Sequence, residues 1–196
     1  WESLQRVLVE RKNIVVTTGT GSGKTETFLL PLFAQLAKDS SNWTPSQSLP
    51  SKREWWNTPA KSGGERVSQW EHMTRPSALR AIILYPLNAL VEDQLRRLRM
   101  ALDDDDVHTW LDQERKGNRI TFGRYTGLTP VPGPVTNDRI SRLRKTLLET
   151  DQQRQDILRT FQQNPSSDRE VQYFFPRLDG GEMWSRWDMQ DAPPDI

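Results

Sequence analysis

The stretch Asn13-Ile14-Val15-Val16-Thr17-Thr18-Gly19-Thr20-Gly21-Ser22-Gly23-Lys24-Thr25 decides the fold of this chain. It opens with a run of β-branched residues, which predicts a buried parallel strand over residues 13–18. From Glu26 to Lys38 the apolar residues recur on one stripe, which predicts an amphipathic helix. Pro31 lies within that stripe, so we expect the helix to be kinked there or to lack one hydrogen bond.

The glycine-rich loop between the predicted strand and helix has the composition of a phosphate-binding loop. Gly21 and Gly23 allow the backbone to close around an anion, which a Cβ would obstruct. Backbone N–H groups and the positive end of the following helix would face that anion. Lys24 would bring a positive charge near the β- and γ-phosphates of a nucleotide, and the Thr25 hydroxyl is placed to hold Mg²⁺.

This loop therefore predicts a site for a nucleoside triphosphate. Its residues lie in the loop and in the first turn of the next helix, and they are Thr18, Gly19, Thr20, Gly21, Ser22, Gly23, Lys24 and Thr25. The strict pattern of such loops has Gly where this chain has Thr18. The alternative is a glycine-rich turn with an incidental lysine, but the order of strand, glycines, Lys-Thr pair and helix favours the nucleotide site.

The rest of the chain continues the alternation of strands and helices. Strands are predicted over residues 78–85 and 119–123, and a helix is predicted from Asn88 to Leu102. Residues 138–164 predict one helix or two shorter ones. The order indicates an α/β fold, a parallel sheet with helices on both faces, in which ligands bind beyond the C-terminal ends of the strands.

Two long segments have neither helical nor strand periodicity. Residues 39–77 combine Pro, Gly and Ser with tryptophans, which predicts an irregular insertion at the surface. We expect Trp55 and Trp56 to dock on the domain or on a partner, in preference to stacking on bases. The same alternatives hold for the tryptophans of the irregular segment 165–192. Residues 193–196 resemble the lead-in to another strand.

Composition excludes several classes of protein. The 196 residues include no cysteine and two histidines, which excludes a disulfide framework and Cys-ligated metals and argues against a multi-His metal site. No apolar run approaches the roughly 20 residues of a membrane span. The N-terminus has no signal-peptide pattern, so we expect a cytoplasmic protein without a membrane partner. Because the net charge is only +1, nucleic-acid binding would need a local basic patch.

Three motifs together carry a family resemblance. Thr18-Gly19-Thr20-Gly21-Ser22-Gly23-Lys24-Thr25-Glu26 resembles motif I of superfamily 2 helicases. Tyr85-Pro86-Leu87-Asn88-Ala89-Leu90-Val91-Glu92-Asp93-Gln94 resembles their motif Ia, with Leu87 in place of the usual Thr. Gly123-Arg124-Tyr125-Thr126-Gly127-Leu128-Thr129-Pro130 resembles the glycine-containing segment that follows. The combination is most similar to large bacterial DExH/DEAD-box helicases, including some from anti-phage defence islands.

The resemblance implies a RecA-like P-loop NTPase fold that binds ATP, Mg²⁺ and a nucleic-acid strand. It covers residues 1–38, 78–130 and the last few positions. In the family, the residues of motif Ia and of the following segment hold the sugar–phosphate backbone, a task that suits a helix N-terminus. The resemblance implies that the corresponding contacts of this chain would be Pro86, Leu87, Asn88, Gln94, Arg124, Thr126 and Gly127.

Ordinary surface features are the alternative for these segments. Residues 85–99 could form a solvated amphipathic helix, and Arg124 with Tyr125 could be a surface pair. Three arginines would then lie on the outer face of that helix, Arg96, Arg97 and Arg99.

The acidic motif with which the family holds Mg²⁺ and orients water has no counterpart in this sequence. Residues 103–106 are its only acidic cluster, and they follow a helix, so we expect a solvated helix end. Residues 1–196 are therefore expected to form an incomplete RecA-like domain that binds nucleotide without turning it over. The expected partners are the remainder of the helicase, including a second RecA-like domain, and further subunits.

The sequence thus predicts the ATP-binding part of an ATP-dependent helicase or translocase. Its substrate is expected to be DNA, single-stranded or duplex, with RNA as the other candidate. One alternative is a duplex translocase that does not separate strands, because the same motifs serve both activities. A second is a P-loop module that binds nucleotide to organise an assembly and does not use nucleic acid. A small-molecule kinase is a third, and it would need a substrate-binding lid.

Overall fold

The computed structural model of this chain divides into two compact units, Trp1–Thr44 and Pro45–Ile196. The structure describes residues 1–17, 19, 23–48, 54–58, 65–68, 70–127, 129, 133–163 and 193–196. Within those ranges no helix is both long and apolar enough to cross a membrane.

The first unit is built on one long amphipathic helix. A short helix, α1 (Glu2–Leu4), continues into a π-helical turn over Gln5–Val9. The long helix is α2 (Lys24–Asp39), which ends in a 3₁₀ turn over Ser40–Asn42. Its apolar stripe is partly buried through Leu29, Pro31 and Leu36. The helix predicted over 26–38 is thereby confirmed, and it continues through the proline.

The strand predicted over residues 13–18 is not confirmed. Residues 13–17 are described, and none of them lies in a regular β-ladder. Val15 is 92% exposed and Val16 38% exposed, whereas a central parallel strand would bury both. β-branched residues are buried only where neighbouring strands and covering helices meet them, and the described part of this unit supplies none.

Three α-helices lie in the described residues of the second unit. They are α3 (Asn88–Leu102), α4 (Asp105–Glu114) and α5 (Asn137–Gln163). The helix α3 has the predicted bounds. The sequence was compatible with one helix or two shorter helices over residues 138–164, and α5 is a single helix of 27 residues.

The acidic cluster at residues 103–106 connects the end of α3 to the start of α4. Asp104, Asp105 and Asp106 are exposed, as expected for a solvated helix end, and the expectation is wrong for Asp103. The Asp104 carboxylate caps α4 by accepting a hydrogen bond of 2.9 Å from the Asp106 N–H. Asp105 and Asp106 lie in its first turn, where negative charge is favourable next to the helix dipole. Asp103 is buried, and its Oδ1 lies 3.1 Å from Nε2 of His108.

The tryptophans of the insertion pack against α5. Trp55 and Trp56, in a 3₁₀ turn, are each 3% exposed and form a core with Leu143 and Leu147. The Arg144 guanidinium lies 5.0 Å from the centre of the Trp55 ring and donates to the carbonyl oxygen of Thr58. The prediction that these tryptophans dock on the domain is confirmed, and their burial excludes them as base-stacking platforms. Trp184 and Trp187 lie outside the described residues.

Residues 195–196 lie between two segments that were predicted as strands. Ile196 donates to the Thr121 carbonyl (3.1 Å) and accepts from the Gly123 N–H (2.9 Å), which is the pattern of a parallel pair. The Asp195 carbonyl accepts from the N–H groups of Arg80 and Ala81, both at 2.9 Å. The strand lead-in expected at 193–196 therefore makes strand-like hydrogen bonds.

A parallel sheet with helices on both faces is nonetheless not confirmed. The described residues contain no regular β-ladder. Apolar side chains in the segment predicted as the second strand are exposed, with Leu79 at 51%, Ile82 at 68% and Leu84 at 86%. The described elements of this unit do not cover them.

A buried carboxylate organises this part of the second unit. Asp195 is fully buried, and Arg75 binds both of its oxygens, Nη1 to Oδ1 at 2.9 Å and Nη2 to Oδ2 at 2.7 Å. The N–H and the hydroxyl of Thr121 donate to Oδ2 at 2.8 and 2.9 Å, and Arg80 donates to Oδ1. Arg75 also lies 4.7 Å from the centre of the Trp70 ring. Burial lowers the pKa of Arg75, and Asp195 opposes that shift.

The burial of His72 predicts that the stability of this unit depends on pH. The residue is 4% exposed, and burial, with the charges of Arg119 and Arg75, lowers its pKa from 6.5 to about 4. Between those values the unfolded chain binds more protons than the folded chain, so acid favours unfolding. We expect the free energy of unfolding to fall by about 2–3 kcal/mol from this group between pH 7.5 and 4.5.

Urea unfolding at the two pH values measures this effect. Carboxylates titrate in the same pH range. The test therefore compares the loss of unfolding free energy between the two pH values in the wild type with the loss in His72→Gln, which lacks the titrating group. An equal loss of stability in both proteins would contradict the assignment to His72.

Candidate nucleotide site and nucleic-acid surface

The helix α2 begins directly after a glycine in a left-handed conformation. Gly23, the residue before the helix, has φ +75° and ψ +26°, a left-handed conformation that residues with a Cβ rarely adopt. Its carbonyl oxygen accepts from the N–H (3.0 Å) and the hydroxyl (2.8 Å) of Thr27, which fixes the first turn. Because Gly23 has no side chain, this residue cannot cap the N–H groups of the first helical turn.

The two residues that the sequence assigns to phosphate and Mg²⁺ open this helix. Lys24 is its first residue and is exposed, and Thr25 follows it and is half-buried. An ammonium group, a hydroxyl and a helix N-terminus are groups that suit a nucleotide phosphate with its metal ion. Gly19 is exposed, and apart from its chain neighbours no atom of the described residues lies within 4 Å of the position that a Cβ would take. The remaining predicted residues of the loop lie outside the described part of the chain, and they are Thr18, Thr20, Gly21 and Ser22.

The start of α3 in the second unit is the first part of the predicted nucleic-acid surface. Pro86, Leu87 and Asn88 are all exposed there. Leu87 precedes the helix in an extended conformation and makes no side-chain cap, and its carbonyl accepts from the Leu90 N–H at 3.1 Å. This helix N-terminus therefore presents backbone donors and the Asn88 amide near the surface.

An ion pair brings the second part of that surface beside α3. The guanidinium of Arg124 pairs with the carboxylate of Glu92, one turn after Asn88 on the same face of the helix. Two hydrogen bonds join Thr126 and Thr129 after Arg124. The Thr126 N–H donates to Oγ1 of Thr129 (2.9 Å), and the Thr129 N–H donates to the carbonyl oxygen of Thr126 (3.1 Å). Two segments that lie apart in sequence thus meet. We call residues 86–88, 92 and 124–127 the strand face, after the nucleic-acid strand that this surface is predicted to contact.

Sequence reasoning did not identify Glu92. The signal that could have found it is its spacing of four residues from Asn88, which puts an acid on the face predicted to contact nucleic acid.

Gln94 lies outside the strand face. It is 8% exposed, and its Nε2 donates to Oδ2 of Asp93 at 3.2 Å, so its amide is not presented to a ligand at the surface. The arginine cluster expected on the outer face of α3 is also divided, since Arg97 is exposed and paired with Asp93 (3.1 Å) while Arg99 is 5% exposed. That expectation is wrong for Arg99, whose position on the helix places it among the buried leucines.

Tyr85, the residue before Pro86, is half-buried. Burial raises the pKa of its hydroxyl, so the group stays neutral at physiological pH.

Comparison with known proteins identifies the family. The DEAD/DEAH box helicase family matches residues 1–127. Druantia protein DruE of Escherichia coli (strain UMEA 4076-1) is 36% identical over 140 residues, which are 71% of this chain and 6% of that protein. This chain therefore spans a small part of the length of that relative. No solved structure matches. Since the family match includes more than half of the chain, with residues 18–26 and 85–94 that resemble motifs I and Ia, this chain belongs to the DEAD/DEAH box helicase family.

Proposed function

We propose that this chain is the ATP-binding part of an ATP-dependent helicase or translocase that moves along DNA. The observation that carries the proposal is the opening of α2, where a left-handed Gly23 precedes Lys24 and Thr25. Membership of the helicase family implies the use of ATP, usually with Mg²⁺. When bound, ATP supplies the free energy of its hydrolysis to the movement.

The residues at the start of α2 bind and orient the nucleotide in this proposal. The Lys24 ammonium offsets the charge of the terminal phosphates, and the Thr25 hydroxyl is a ligand for Mg²⁺. The loop residues before them contribute backbone N–H groups. The acidic residues of the reaction and the second RecA-like domain would come from the remainder of the protein, which we propose as the partner of this chain.

The strand face supplies the proposed contacts to nucleic acid. Asn88, Arg124 and Thr126 offer polar side chains, and the backbone at Pro86, Leu87 and Gly127 lies beside them. Such groups suit phosphate and sugar, so we expect binding that is largely indifferent to base sequence. DNA is the proposed substrate and RNA the other candidate.

A role in bacterial antiviral defence is the proposed setting. The motifs resemble those of helicases from anti-phage defence islands, and the similarity to Druantia protein DruE favours the same setting. Partner subunits of a multi-protein system are then expected.

The experiment that tests this function is ATP turnover by the longest natural polypeptide that contains this chain, with and without DNA. We expect single-stranded DNA to raise turnover severalfold. Polyphosphate controls for a general effect of anions, and RNA of the same length tests the other substrate. Turnover that neither DNA nor RNA changes would contradict the proposal and favour a nucleotide-gated assembly module.

A further inference from the structure

Tyr125 presents an aromatic ring to solvent within the strand face. The residue is 77% exposed, whereas Trp55 and Trp56 are each 3% exposed. A single exposed aromatic residue is ordinary on a protein surface. The position of Tyr125 is the informative feature, because it lies between two residues, Arg124 and Thr126, that are proposed to contact sugar and phosphate.

The backbone on both sides of this ring is fixed. Thr129 accepts a hydrogen bond from the Thr126 N–H at 2.9 Å, and its own N–H donates to the Thr126 carbonyl at 3.1 Å. The Thr129 hydroxyl also lies 3.4 Å from the carbonyl oxygen of Arg124. These hydrogen bonds hold the residues on either side of Tyr125, so a ligand that stacks on its ring would lose less free energy to the ordering of those residues.

The charges around the ring favour stacking as a source of affinity. The Arg124 guanidinium is paired with the Glu92 carboxylate, and the two side chains are 36% and 44% exposed. That pairing offsets part of the attraction that Arg124 alone would exert on a phosphate. The exposed start of α3 remains suited to one phosphate, and Tyr125 offers a neutral surface for the base attached to it.

We propose that Tyr125 stacks on an unpaired base, so that the strand face binds a single strand in preference to a duplex. The inference rests on the proposed function and names the form of nucleic acid that this surface takes. Bases of a duplex are stacked inside it and offer only their edges to a protein, whereas bases of a single strand offer their faces. Stacking of this kind tolerates any base.

Binding of three labelled probes to the full-length protein tests the proposal. The probes are an oligothymidine strand, the same strand with abasic sites in its centre, and a duplex of the same length, each followed by fluorescence anisotropy. We expect Tyr125→Ala to weaken binding of the oligothymidine by roughly tenfold and to leave the other two probes unchanged. Tyr125→Phe keeps the ring and is expected to keep the affinity.

Trp110→Ala is the matched control, because it removes another exposed aromatic residue. Trp110 lies on α4, is 40% exposed and is covered by Arg115 at 4.5 Å. Its replacement is expected to change the affinity for none of the probes.

The outcomes separate this inference from the function on which it rests. If Tyr125→Ala lowers the affinity for the base-containing strand and for the abasic strand equally, the stacking proposal is wrong. It is also wrong if Tyr125→Ala lowers neither affinity. Wild-type protein that binds none of the three probes would overturn the proposed function and this inference together.

Discussion

Replacement of Lys24 by Ala is expected to lower ATP turnover of the full-length protein by at least about 100-fold, the cost of removing one preorganised charge from a transition state. Lys24 is the first residue of α2, exposed at a helix end that Gly23 cannot cap with a side chain. Its ammonium would act on the terminal phosphates, where negative charge develops during hydrolysis. Steady-state turnover with saturating ATP and DNA measures the effect.

The control for this variant lies on the same helix. Lys38→Ala removes an exposed lysine from the last turn of α2, so it changes the charge of the protein equally. Its turnover is expected to match the wild type. Turnover of Lys24→Ala within a few fold of Lys38→Ala would show that the start of α2 is not a phosphate site.

Helices of this chain could be predicted because their signals are local. Apolar residues three and four positions apart predict the apolar stripe and the bounds of α3. The same spacing predicts the stripe of α2, and its predicted bounds differ from the observed ones by at most two residues. The position of Lys24 and Thr25 follows from the glycines before them. The helix α4 was missed although Asp104 before an apolar repeat is a capping signal, because the acids were taken as a helix end.

The features that the sequence did not predict correctly depend on contacts between residues that lie far apart in the chain. Burial of the segments 13–17 and 78–85 requires neighbours that a local pattern does not supply, and Val15 and Leu84 are mostly exposed here. Arg75 and Asp195 meet across 120 positions, and no spacing rule pairs them. The pairing of Arg124 with Glu92 was missed for the same reason.

Removal of Arg75 is expected to cost about 3–5 kcal/mol in the free energy of unfolding, the usual cost when one partner of a buried ion pair is deleted. Asp195 is fully buried, so the bonds that remain from Thr121 and Arg80 would have to stabilise its charge without a bidentate guanidinium. Urea unfolding of the chain carrying Arg75→Ala measures the loss. Arg75→Lys keeps the charge but cannot make the bidentate contact with Asp195, so we expect an intermediate loss of unfolding free energy.

A surface pair provides the comparison that makes this prediction specific to burial. Arg159 and Asp156 on α5 lie 3.1 Å apart with side chains 64% and 58% exposed, so Arg159→Ala is expected to cost less than about 1 kcal/mol. The double variant Arg75→Met with Asp195→Leu should recover much of the loss, since it removes both charges of the buried pair and takes a carboxylate only from Arg80, whose side chain is 22% exposed. Equal losses in Arg75→Ala and Arg159→Ala would show that the buried carboxylate does not hold residues 75, 121 and 195 together. An unstable double variant would instead show that the bonds from Asp195 to Thr121 matter more than the charge pair, because the leucine would remove them as well.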